Sequence, residues 1–171
     1  MRPAFHNQDQ SLTQIAAAAE DLIKLIPSAT PVDLAPLFFR FTLDTTSYLL
    51  FGQRLGALDV QEDDDVFSFA AAFDRGQDYL ARRGLLGGLY WLIDGPDFRR
   101  NCKIVHKHVD RLIENTLRER KMGGVEDEAS HRSILDSLLE QTTDRKLLRE
   151  QCLNVLLAGR DTTACLLSWT L

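Results

Sequence analysis

The chain has 171 residues, 44% of them hydrophobic and 26% charged, with a formal net charge of -5. That length supports one domain with a fair core. The acidic balance, with no basic stripe carrying interleaved aromatics, excludes a nucleic-acid surface. The opening residues Met1-Arg2-Pro3-Ala4-Phe5-His6 hold neither a signal-peptide core nor a membrane span.

Apolar spacing predicts helices nearly throughout and no strand alternation, so the fold class is all-α. Ser11 is placed to cap a helix whose apolar positions Leu12, Ile15, Ala16, Ala19, Leu22, Ile23 and Ile26 keep the 3.6 period, and Pro27 ends it. Asp33 is the next cap, with Pro36 in a first turn where its missing N–H does no harm. The helix that follows carries Leu37, Phe38, Phe39, Phe41, Leu43, Tyr48, Leu49 and Leu50 before Gly52, and its near all-round apolarity predicts burial. The run Glu62-Asp63-Asp64-Asp65 puts negative charge at the start of a third helix, from Val66 to about Arg83. It lacks the glycine and closing glutamate of a calcium loop, so it reads as a cap.

An apolar, aromatic-bearing loop over residues 85–93 comes next. It is far short of the ~20 residues that span a bilayer. It either meets a membrane interface through Tyr90 and Trp91 or folds onto the core. A fourth helix from about Pro96 carries Phe98, Cys102, Val105, Val109, Leu112 and Thr116 on one stripe, too short for a coiled coil and suited to core packing. It ends at Gly123-Gly124. A polar loop to about Ser130, a short helix with Ile134, Leu135, Leu138 and Leu139, and a long helix capped by Thr143 complete the chain. No repeat or low-complexity linker divides residues 1–171, which read as one unit.

The most informative stretch is Leu153-Asn154-Val155-Leu156-Leu157-Ala158-Gly159-Arg160-Asp161-Thr162-Thr163-Ala164, where an acid and two hydroxyls interrupt an apolar helical run. A buried carboxylate needs partners or a shifted pKa. A mid-helix glycine costs about 1 kcal/mol against alanine, and threonine hydroxyls compete for backbone carbonyls. Several locally unfavourable choices within a few positions point to a functional site. Read on the residues alone, Asp161 and Thr162 are either that site or a buried polar pair bonded within its own helix.

Ala158-Gly159-Arg160-Asp161-Thr162-Thr163 resembles the oxygen-binding helix of the cytochrome P450 haem-thiolate monooxygenases, whose pattern is Ala/Gly-Gly-x-Asp/Glu-Thr-Thr/Ser. The continuation Leu166-Leu167-Ser168-Trp169-Thr170 is similar to that of fungal microsomal members that hydroxylate alkanes and fatty acids. Upstream, Arg2-Pro3-Ala4-Phe5 looks like the segment after the third family helix. Asp33-Leu34-x-Pro36-Leu37-Phe38-Phe39-Arg40-Phe41-Thr42-Leu43-Asp44, closed by Phe51-Gly52, looks like the fifth. Phe73-Asp74 and Tyr90-Trp91-Leu92 are similar to the helices and connection that roof the substrate cavity, and Val105-His106-x-x-Val109-Asp110 to the long helix that follows. The resemblance covers the chain from the fourth family helix to the middle of the oxygen-binding helix.

It implies a face formed by Ala158, Gly159 and Thr162 over the distal side of a haem, with Gly159 letting the helix open locally. Asp161 and Thr162 would be the catalytic pair, the acid feeding protons from solvent and the hydroxyl relaying them for oxygen activation. It further implies NADPH electrons through a separate reductase, a hydrophobic substrate, membrane contact through residues 85–93 and the endoplasmic reticulum membrane as the location. Arg160, about 100° round the helix from Asp161, reads either as the partner of an acid on a neighbouring helix or as a member of the proton relay, and Thr163 is expected to bond back to the Gly159 carbonyl.

The family's Trp-x-x-x-Arg, Glu-x-x-Arg and Phe-x-x-Gly-x-Arg-x-Cys-x-Gly motifs do not stand in this sequence. Cys102, Cys152 and Cys165 fit no zinc or disulfide framework and read as buried reduced thiols rather than axial ligands. His106 and His108 face nearly opposite ways on a helix and cannot share a metal; His106 and Asp110 are placed to pair across one turn. Ser168 lacks a glycine-flanked elbow, and no phosphate loop is present. Two functional classes follow: part of a monooxygenase, inactive alone, or a non-catalytic truncated helical remnant acting as an interaction module.

Overall fold

A computed structural model of the protein describes residues 8–59, 65–122 and 133–170. The Arg2-Pro3-Ala4-Phe5 segment, most of the acidic run before Val66, and Gly123-Gly124 with the loop after them lie outside the described residues. The regular elements are α1 (Gln8–Leu25), α2 (Ala35–Phe51), α3 (Asp65–Leu86), a 3-10 turn (Gly87–Leu92), α4 (Pro96–Met122), α5 (Ile134–Gln141) and α6 (Arg145–Thr170). Among the described residues there is no strand. No described helix is long and apolar enough to cross a membrane.

Helix ends follow local chemistry, with some shifts from the sequence reading. Asp33 Oδ1 accepts from the Ala35 N–H at 3.0 Å, and a proline occupies the first turn of α2. Gly52 ends that helix in the left-handed region (φ 78°), its N–H donating to the Tyr48 carbonyl at 2.8 Å. Ser133 and Asp136 form a reciprocal capping box on α5. α6 is capped by Asp144 rather than Thr143: its Oδ1 accepts from Lys146 N–H at 2.9 Å, while Thr142 Oγ1 accepts from Asp144 N–H. α1 runs from Gln8, which places Ser11 in its first turn and not at its cap.

Two compact units form, one from residues 1–59 and 113–171 and the other from residues 60–112. No linker announces the division in the sequence because one boundary falls inside α4.

In the first unit α2 is the central element, packed against α1, α5 and α6. Its apolarity explains this: Phe38, Leu43, Leu50 and Phe51 are all buried. A core cluster joins Leu22 of α1, Phe38 of α2, Leu58 and Ala164 of α6, with Leu37, Phe41 and Leu167 packed around it. α2 also buries Thr42, Asp44, Thr46 and Ser47. The Thr42 hydroxyl donates to the Phe38 carbonyl at 2.9 Å, the local satisfaction open to a helical threonine.

Asp44 reaches further. Its carboxylate accepts from the N–H groups of Ala57 (2.7 Å) and Leu58 (3.3 Å) and lies 3.8 Å from Arg54 Nη2. Arg54 Nη1 also donates to Asp21 of α1 at 3.0 Å. Burial pushes the Asp44 carboxyl above the ordinary range, against the opposing pull of Ala57, Leu58 and Arg54. The acid thus ties the segment after Gly52 to the middle of α2.

In the second unit, Phe69 of α3 is fully buried, 4.4 Å from the near-parallel ring of His108 and 5.8 Å from Phe73. His108 is therefore a packed core residue. At the other end Arg83 lies over Tyr90 (5.2 Å) and Phe98 (4.9 Å) and donates to the Ile93 carbonyl at 3.3 Å. Those contacts hold the 3-10 turn against α3 and the start of α4.

Replacing Asp44 by alanine strands two buried N–H groups, and we expect a loss of about 2–4 kcal/mol. Asp21→Ala removes a solvent-screened partner and should change stability far less. Urea midpoints of the two variants against wild type test the ordering.

Candidate functional site

α6 carries the interrupted apolar run, and its orientation follows from what it buries. Leu148, Cys152, Leu156, Arg160 and Ala164, spaced four apart, are buried. On the opposite side Asn154, Ala158, Thr162, Cys165 and Trp169 are exposed, Trp169 at 89%. Ala158 and Thr162 therefore share an open face, one turn apart. Asp161 sits at the edge of that face, half-buried.

Gly159 belongs to a different face from the one expected. A Cβ built there would lie 2.7 Å from both Cγ2 and Oγ1 of Thr46 and 3.3 Å from its Cβ. The glycine leaves the space that the Thr46 side chain of α2 occupies against α6. The helix runs unbroken through it, so the local opening expected from the sequence is not observed.

Arg160 is 3% exposed, and its Nη1 donates to Oδ1 of the adjacent Asp161 at 3.2 Å. Its guanidinium lies over the Phe39 ring of α2 at 5.0 Å, a cation–π contact that offsets part of the burial of the charge. The back-bond expected of Thr163 is made by Thr162: its Oγ1 donates to the Ala158 carbonyl at 2.6 Å. Thr163 is exposed. So Asp161 and Thr162 are bonded locally without being a buried pair; both keep access to the open side.

Of the cysteines, Cys152 is buried, and desolvation pushes its thiol up to about 12, which leaves it un-ionised and inert. Cys102 is partly buried, and Cys165 is exposed, contrary to expectation, because it falls on the open side of α6. Among the described residues no three His, Cys, Asp or Glu side chains gather as a metal site. The apolar segment over residues 85–93 does not fold into a core: no residue of the 3-10 turn is buried, and Leu85, Leu89, Tyr90, Trp91 and Leu92 are exposed.

The contact of Phe39 with Arg160 and that of Thr46 with Gly159 were not legible as site features. Their only sequence signal is that Phe39 and Thr46 lie in the one helix apolar enough to be central.

Residues 3–171 match the cytochrome P450 family. The chain belongs to that family. It is 46% identical over 177 residues to a cytochrome P450 of Arthroderma benhamiae, covering all of this chain and 35% of that protein. It is 43% identical over 183 residues to cytochrome P450 52A10 of Candida maltosa, covering 99% of this chain and 34% of the relative. Cytochrome P450 52A9 of the same yeast is 41% identical over 151 residues, covering 81% and 28%. The chain thus spans about a third of the length of these relatives.

Cytochromes P450 carry haem, and the open face of α6 fits the distal side of such a group. Its central side chain is the small Ala158, the Thr162 hydroxyl lies one turn on, and the half-buried Asp161 borders it. Cys102, Cys152 and Cys165 all lie within helices, with Cys152 packed into the core.

Gly159→Ala should destabilise the protein by about 1–3 kcal/mol, the overpacking against Thr46 outweighing the ~1 kcal/mol that alanine gains as a helix former. Thr46 is β-branched and cannot swing its methyl far away. Adding Thr46→Ala, which removes both 2.7 Å contacts, should restore part of the loss. A double-mutant cycle on melting temperature measures the coupling.

Proposed function

We propose that the chain forms the distal, oxygen-facing part of a haem-dependent monooxygenase that hydroxylates an alkane or fatty acid chain. The overall reaction is R–H + O2 + NADPH + H+ → R–OH + H2O + NADP+, with the electrons delivered through a separate reductase. Membership of the cytochrome P450 family supports the reaction class. The substrate class rests on the likeness of Leu166-Leu167-Ser168-Trp169-Thr170 to fungal members acting on such chains. The observation that carries the reading is that the adjacent Asp161 and Thr162 both have access to the open face of α6, next to the small Ala158.

When bound, a haem would supply the oxygen-activating chemistry, with Ala158 and Thr162 facing it. The work of this chain is positional and protic. Ala158 leaves space over the helix. The Thr162 hydroxyl, donating to Ala158, keeps its lone pairs available to accept a proton from one side and pass one to the other as it rotates. Asp161, at the rim of the face, exchanges protons with solvent and returns them to the hydroxyl, directly or through one water.

The exposed turn over residues 85–93 is the segment of this chain we assign to the membrane surface. Leu89, Tyr90, Trp91 and Leu92 form an apolar, aromatic tip held by Arg83, suited to the interface of the endoplasmic reticulum membrane.

In the full-length enzyme, Thr162→Ala should keep haem and substrate binding while releasing peroxide in place of product; Asp161→Asn should slow turnover instead. NADPH consumed, peroxide released and product formed, measured together, separate the two effects. Wild-type coupling in Thr162→Ala would make Thr162 structural and defeat the relay. For the membrane assignment, Leu89→Glu should weaken partition into phospholipid vesicles by about tenfold, the scale of one buried leucine side chain. Unchanged partition, followed by Trp91 fluorescence on vesicle titration, would remove residues 85–93 from the contact.

A further inference from the structure

Resting on the proton-relay reading above, we propose that Arg160 is a positioning residue that holds the Asp161 carboxylate in place for proton delivery. A proton donor has to be fixed in direction and must also keep a protonatable atom free. Asp161 meets both conditions. Its Oδ1 receives Arg160 Nη1 at 3.2 Å, while Oδ2 has no hydrogen-bond partner among the described residues. One oxygen is anchored and the other is open, on a side chain that remains 25% exposed.

The anchor is itself held. Arg160 is on the buried side of α6, with its guanidinium over the Phe39 ring at 5.0 Å. An arginine has many rotamers to lose, and a planar group seated on an aromatic face loses them to packing rather than to the acid it serves. The reference point for the carboxylate is therefore α2, by way of Phe39, and not the flexible solvent side. Asp161 follows Arg160 directly in sequence, so the aspartate χ angles are the only soft torsions between the open face and that anchor. Removing the guanidinium frees them, and the carboxylate samples rotamers directed away from Thr162.

The test uses the full-length haem enzyme with Arg160→Gln, Arg160→Lys, Asp161→Asn and the Arg160→Gln/Asp161→Asn double variant. Arg160→Gln should keep wild-type haem content and the wild-type spectral response to substrate, with turnover falling roughly 10- to 100-fold, the scale of a catalytic group misplaced by about an ångström. Arg160→Lys, which retains a donor cation, should recover most of it. In the Asp161→Asn background Arg160→Gln should produce no further fall, because it acts only through that acid. Crystal structures should show the Asp161 carboxylate displaced in Arg160→Gln and in place in Arg160→Lys.

Wild-type turnover in Arg160→Gln, a fully additive loss in the double variant, or an unmoved carboxylate would each overturn the assignment while the relay itself stands on the Asp161→Asn result. Wild-type turnover in Asp161→Asn would instead defeat the relay, and this inference with it. If Arg160→Gln does not fold, Phe39→Leu takes its place: it removes the platform and leaves the charge. It should lower turnover several-fold with haem retained, and wild-type turnover there overturns the proposal.

Discussion

The contact between Gly159 and Thr46 is the constraint on which the orientation of α6 depends. Two helices approach closely only where one of them presents no side chain, and Thr46 already occupies the space a Cβ at position 159 would need. That fixes which flank of α6 meets α2. With Arg160 and Ala164 buried on the same side, the 100° step of the helix leaves Ala158 and Thr162 pointing away. The open face is thus a consequence of packing. The glycine contributes to the site by setting the helix's rotation.

α2 explains why the unit tolerates so many polar groups inside. It is packed against α1, α5 and α6, and several of the polar side chains it carries find a neighbouring backbone or side chain. Thr42 returns its hydroxyl to its own helix, and Asp44 captures the chain after Gly52. Phe39 gives a buried guanidinium a face to lie on. The two arginines Arg54 and Arg160 play parallel parts, each joining an acid to a second element, Arg54 toward α1 and Arg160 toward α2.

Helix content and order were legible because apolar spacing is a local property, and α2 was recognisable as central from its all-round apolarity. The short-range pattern around Asp161 and Thr162 likewise singled out α6 as the helix that carries the candidate site. Several features escaped because they depend on partners far apart in sequence. Gly159 reads as helix weakness until Thr46 is placed beside it, and Arg160 reads as a cation in search of an acid until Phe39 is seen beneath it. The α6 cap at Asp144 instead of Thr143 is a one-residue error of the kind side-chain competition produces when Thr142, Thr143 and Asp144 stand in a row. The turn over residues 85–93 stayed open in the sequence because an apolar run of that length suits a core and an interface equally.

Asp44 and Asp161 show how the same sequence signal divides between scaffold and chemistry. Each is an aspartate in a long helix with apolar neighbours, and each has an arginine nearby. Asp44 is wholly buried, and both of its oxygens are engaged by backbone N–H groups as well as facing Arg54. A carboxylate buried and bonded in this way has no route to solvent, and its removal is felt as lost stability. Among the described residues Asp161 has one guanidinium contact and one oxygen without a hydrogen-bond partner, and it sits at the edge of the open face of α6. Such a group is anchored through one oxygen, as the proposed relay requires, and contributes little to folding. Incomplete satisfaction at a fixed position, rather than polarity in an apolar helix, separates the second aspartate from the first.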